Sequence, residues 1–85
     1  MASVIRGQVV ILTGAAQGIG ANYARFLARE GVKLVMTDVD ETGLKALAAE
    51  LEKSGGTVVP LRVDVSSQED TERMASVAIE RFGRI

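Results

Sequence analysis

Three glycines, Gly14, Gly18 and Gly20, stand between a short apolar run and a longer amphipathic stretch. The run, Q-V-V-I-L-T at residues 8–13, is almost continuously apolar, as a strand covered on both faces requires. The stretch at residues 19–30 places Ile19, Tyr23, Phe26 and Leu27 on one helical face. Each glycine has a physical task at such a junction. Gly14 lets the chain turn sharply at the strand end. Gly18 leaves out a side chain where an anion approaches the backbone. Gly20 lets the helix pack close to the strand. The N–H groups opening the helix, with the positive end of its dipole, favour a phosphate there. Glycines that merely end a strand are the plainer alternative. No lysine follows as in a Walker A loop, which disfavours a nucleoside triphosphatase.

The same rhythm continues along the chain. Residues 33–38 (K-L-V-M-T-D) read as a second strand, and residues 41–53 as a helix with Leu44, Leu47, Ala48 and Leu51 facing inward. Ser54-Gly55-Gly56 ends it. Residues 57–65 read as a third strand. Residues 66–82 read as a third helix, opened by a Ser66/Glu69 capping box, with Met74, Val77, Ala78 and Phe82 on its apolar face. Strands alternating with helices imply an α/β domain with a parallel sheet. Crossovers between parallel strands are right-handed almost without exception. The expected strand order is therefore 3-2-1, with the first two helices on one face. Pro60 supports an edge position for strand three.

In the order 3-2-1-4-5-6 of a Rossmann-type fold, this βαβαβα pattern is a half, truncated before strand four. Strand one is then expected to carry an open edge, which invites pairing with another chain. The third helix is expected to have little sheet to land on. The favoured organisation is residues 1–85 as the N-terminal part of a single dinucleotide-binding domain.

Composition narrows the function classes. The net charge is −1 with both signs mixed, so nucleic acid is not an expected partner. There is no cysteine, hence no disulfide or thiolate metal site. There is no histidine, which removes the commonest general base and metal ligand. Residues 1–7 are too short and polar for a signal peptide, and no apolar run has the length of a membrane span. A cytoplasmic location is expected.

Asp38 closes the second strand, about 20 residues past the turn, where dinucleotide-binding folds place an acid. A carboxylate there accepts hydrogen bonds from the adenosine ribose hydroxyls and repels a 2′-phosphate. Position 17, inside the turn, is Gln17 and supplies no cation to offset that repulsion. Taken alone, Asp38 is equally a polar strand end before Asp38-Val39-Asp40; with the glycine turn in place the ribose role is favoured. Asp64-Val65 fits two roles equally by position. It either holds the adenine edge and ring face or decorates the helix start beside Ser66.

These residues resemble the short-chain dehydrogenase/reductase family. The resemblance rests on Thr13-Gly14-Ala15-Ala16-Gln17-Gly18-Ile19-Gly20, on Asp64-Val65, and on the terminal Arg81-Phe82-Gly83-Arg84-Ile85, and it covers the chain from about Gln8 onward. It implies that Gln17 and Ile19 line the pyrophosphate, that Asp38 and Val39 hold the adenosine ribose, and that Asp64 and Val65 hold adenine. It further implies NAD(H) as cofactor, in a cytoplasmic homo-oligomeric oxidoreductase whose small-molecule substrates are alcohols and carbonyls. The family's Asn-Asn-Ala-Gly segment, catalytic serine and Tyr-x-x-x-Lys pair are not in these residues. Tyr23 is followed four places on by Leu27 and reads as a core residue. No hydride transfer is expected from this chain alone. A non-catalytic nucleotide-binding or self-associating module is the alternative.

Overall fold

A computed structural model describes residues 6–83. Residues 1–5, and Arg84 and Ile85 of the family-like terminal stretch, lie outside the described residues. Three strands and three helices alternate: β1 Val9–Leu12, α1 Gly18–Arg29, β2 Lys33–Asp38, α2 Glu41–Lys53, β3 Thr57–Arg62 and α3 Gln68–Phe82. The strands form one parallel sheet in the order β1-β2-β3, the expected 3-2-1 arrangement. β2 is central. Its Leu34, Val35 and Met36 are fully buried, which explains its unbroken apolar run. β3 is an edge strand, and Pro60 sits in it opposite Met36, where its missing N–H costs no ladder bond on the open side.

The core has two faces. On one, Leu34 and Met36 of β2 pack with Leu44, Leu47, Ala48 and Leu51 of α2 and with Ala21 and Ala24 of α1. On the other, Val9 and Val35 pack with Ala78 of α3, joined by Ile11 and Phe82. The third helix therefore does find sheet to land on, across β1 and β2. Among the described residues no helix is long and apolar enough to cross a membrane.

Two local expectations change. Tyr23 is not a core residue. Ile19, Tyr23 and Phe26 are 76%, 57% and 45% exposed, and with Asn22 they line a surface hollow. α1 buries its alanine face instead, because small side chains bring the helix down onto the sheet. Arg25 pairs with Glu50 of α2 at 3.0 Å on its other flank. The residues at the start of α3 also differ from the pattern. β3 ends at Arg62, since its partner β2 ends opposite it at Asp38, so Asp64 and Val65 lie in the following loop. The cap is Ser67, whose Oγ accepts from the Asp70 N–H at 3.1 Å. Ser66 is occupied elsewhere, donating to Asp64.

Candidate dinucleotide site

All three strands end on the same side of the sheet, and the loops that follow them meet there. Ligands of open α/β sheets bind at these carboxyl ends. A cleft of about 330 Å³ lies between them, within the usual range for ligand pockets. Its lining includes Gly14 of the turn, Asp38 at the end of β2 with Val39 after it, and Asp64 and Val65 after β3. Five of the residues singled out from sequence thus meet in one place. Thr13, Thr37 and Val63 complete the lining. Thr37 was the one to look for, a polar residue inside the apolar K-L-V-M-T-D run. It is almost fully buried.

Gln17, Gly18, Ile19 and Gly20 do not line this cleft. They sit beside it, where α1 begins. Gln17 precedes the helix in extended backbone and makes no side-chain cap, and the first turn of α1 carries no acid. The other two helices differ. Asp40 caps α2 and Ser67 caps α3, each with acidic residues in the first turn. The opening N–H groups of α1 therefore have no side-chain cap and no acid in their own first turn, a condition that favours an anion there. Gly14 and Gly18 have φ of 65° and 61°, left-handed backbone that a side chain would strain. Gly20 is needed for a different reason. A methyl group there would run into the carbonyl of Gly14, so the helix start and the turn are in close contact.

Asp38 is held at both oxygens. Oδ2 accepts from the Ala16 N–H at 2.9 Å and Oδ1 from the Asp40 N–H at 3.0 Å. The Asp40 N–H holds this carboxyl below the usual carboxylate range. Partial desolvation opposes that, and the N–H groups of Ala16 and Val39 add to the lowering. Asp64 takes the Ser66 hydroxyl at 2.7 Å and the Ser66 N–H at 2.9 Å on one oxygen, Oδ1. Its pKa is lowered chiefly by the Ser66 hydroxyl and then by the Ser66 N–H. Slight desolvation opposes this, and the Arg62 charge adds a smaller lowering. Both carboxyls are thus ionised at neutral pH. A group with a depressed folded pKa contributes stability above its unfolded value, about 3.9, and loses it as pH falls through the lower folded value. Ser66→Ala is expected to move the Asp64 titration up towards its ordinary range while leaving Asp38 where it is. Carboxyl-carbon NMR against pH reads both. Co-movement of Asp38, or no movement of Asp64, would contradict the assignment.

The geometry agrees with comparison to known proteins. The short chain dehydrogenase family model matches residues 8–85. The chain belongs to that family. It is 44% identical over 79 residues to the L-fucose dehydrogenase of Oryctolagus cuniculus, covering 93% of this chain and 26% of that protein. A Burkholderia phymatum short-chain dehydrogenase/reductase solved with NAD superposes with a TM-score of 0.93 at 37% identity, covering 95% of this chain and 29% of the other. A metagenomic short-chain oxidoreductase solved with NADP superposes with a TM-score of 0.87 at 34% identity, covering 96% and 37%. This short-chain dehydrogenase chain spans only part of its relatives' length, 22% of one curated bacterial oxidoreductase and 35% of another.

Proposed function

We propose that this chain holds the adenosine-diphosphate half of NAD(H) for an oxidoreductase that interconverts an alcohol and a carbonyl compound. The observation that carries this is the single cleft joining the glycine turn, Asp38-Val39 and Asp64-Val65 beside the uncapped start of α1. The donor set fits the cofactor. Free N–H groups at Gly18, Ile19 and Gly20, with Gln17, meet the pyrophosphate; Asp38 and Val39 take the ribose; Asp64 and Val65 take adenine. Bound NAD(H) would supply the hydride chemistry. The residues here bind and orient it, and none is assigned a proton to move. NAD is preferred over NADP because Asp38 presents a negative charge where a 2′-phosphate would stand.

The domain reading follows the same support. Residues 1–85 form the first part of one nucleotide-binding domain. β1 has an unpaired edge among the described residues and α1 an exposed apolar stripe, and both are surfaces for further sheet and helix. The same two surfaces favour the second reading, a self-associating module. The resemblance carries a cytoplasmic location and a homo-oligomeric parent with it.

Titration with ADP-ribose, followed by amide NMR, tests the proposal. Residues of the turn, Asp38-Val39 and Asp64-Val65 are expected to shift together, and alcohol with NAD is expected to give no turnover by this chain. Shifts confined to other surfaces would overturn the site, and turnover would overturn the division of labour. Sedimentation showing concentration-dependent dimers without any nucleotide response would establish the second reading instead.

A further inference from the structure

We propose that the last two residues of β2 clamp the phosphate turn, so that Thr37 is a positioning residue for the pyrophosphate and Asp38 acts on the pyrophosphate as well as the ribose. The proposal rests on the nucleotide reading above. Its basis is where the polar groups at the end of β2 point. The Thr37 hydroxyl donates to the Leu12 carbonyl at 3.1 Å, and the Thr37 carbonyl accepts from the Ala15 N–H at 3.0 Å. Asp38 Oδ2 then accepts from the Ala16 N–H at 2.9 Å. Three successive bonds thus tie the end of β1 and the first half of the turn to the end of β2, across 22 to 25 residues of sequence for the two side-chain bonds.

The clamp extends to α2. Asp38 Oδ1 accepts from the Asp40 N–H, and Asp40 in turn caps α2 through the Gly43 N–H at 3.0 Å. Ala16 approaches Gly43 closely enough that a methyl group there would touch the Ala16 methyl. The turn is therefore seated against the α2 start through one carboxylate. Thr37 is 1% exposed, and among the described residues it is the buried polar side chain of the core. A buried hydroxyl on a strand is costly unless it has a partner, and its partner here is a carbonyl at the mouth of the site. Thr37 lines the cleft without offering its hydroxyl to a ligand, since that group is spent on Leu12.

A phosphate held by backbone N–H groups is sensitive to where the backbone stands, so loosening the turn weakens pyrophosphate binding without touching a ligand contact. The test uses ADP and 2′,3′-dideoxy-ADP, which lacks the hydroxyls Asp38 would hold, with affinities measured by calorimetry. Thr37→Val is expected to weaken both ligands equally, on the order of tenfold, the scale of one lost hydrogen bond, and Thr37→Ser is expected to restore both. Asp38→Ala is expected to weaken dideoxy-ADP as well as ADP. Dideoxy-ADP binding that Asp38→Ala leaves unchanged would confine Asp38 to the ribose and overturn its part in the clamp. Thr37→Ser that fails to rescue would reduce Thr37 to packing. A second readout needs no ligand. Amide exchange at Ala16 is expected to speed up in Asp38→Ala, which removes the carboxylate that accepts from that N–H, and unchanged exchange there overturns the clamp. If the unaltered protein binds neither nucleotide, the nucleotide reading fails while the exchange data still decide the clamp.

Discussion

Gly20→Ala is expected to lower stability by about 2–3 kcal/mol, the range for forcing a methyl group into a packed site. Two effects oppose each other here. Alanine is the better helix former by about 1 kcal/mol, so at an ordinary helical position the substitution would stabilise. At Gly20 the new methyl meets the Gly14 carbonyl, which is backbone, and the methyl itself has no torsion to turn it away, so no side-chain rotation relieves the contact. Either α1 lifts from the turn or Gly14 gives up its left-handed conformation. Lifting α1 separates Ala21 and Ala24 from Leu34 and Met36, which share one core with them. A loss of this size is a large share of a total stability of about 5–15 kcal/mol. Urea titration reads it as a lower midpoint. A midpoint at or above that of the parent chain would mean that helix propensity wins and that the close contact is relieved at no cost. Gly18→Ala makes a useful contrast. Open space surrounds Gly18, so its cost is only that of a left-handed alanine, about 1–2 kcal/mol.

The contrast between Gly18 and Gly20 also shows which information sequence carries and which it lacks. That three glycines stand at a strand-to-helix junction is visible in the chain itself, and so is the acid at the end of the second strand. The central strand was legible because both of its faces are buried and its apolar run is unbroken. α2 was legible because Leu44, Leu47, Ala48 and Leu51 recur at helical spacing and all are buried. α1 misled for a physical reason. Leu27 does pack against the core, but Ile19, Tyr23 and Phe26 lie off its face, and periodicity counts hydrophobicity without knowing that Ala21 and Ala24 are the ones against the sheet. Ser66 and Ser67 are adjacent serines, each followed three places later by an acid. Which one caps α3 depends on Asp64 having taken the Ser66 hydroxyl, and spacing cannot report that bond. The role of Thr37 is not legible in sequence, because its partner, the Leu12 carbonyl, is brought to it only by strand pairing.

Asp38→Ala is expected to shift the NADP-to-NAD affinity ratio towards NADP by ten- to thirtyfold. Two unit charges at about 4 Å repel by roughly 4 kcal/mol at an effective dielectric of 20. The cleft is open to solvent and Asp38 is only part-buried, so water and salt screen most of that. About 1.4–2 kcal/mol remains, and each 1.4 kcal/mol is a factor of ten. A second effect works in the same direction. Removing the carboxylate frees the N–H groups of Ala16 and Asp40, which both donate to it, and these donors then face the place a 2′-phosphate would occupy. The absolute affinities are expected to fall, because the turn loses its anchor to β2. The ratio is immune to that loss, since NAD and NADP share one pyrophosphate and one turn. It reports the lost charge and the freed N–H groups at the ribose together, apart from the general loosening of the turn. Competitive binding of the two dinucleotides at fixed ionic strength measures it, and the shift should shrink as salt is added. A ratio that does not move, with both affinities lowered alike, would leave Asp38 as an anchor of the turn and remove it from cofactor choice.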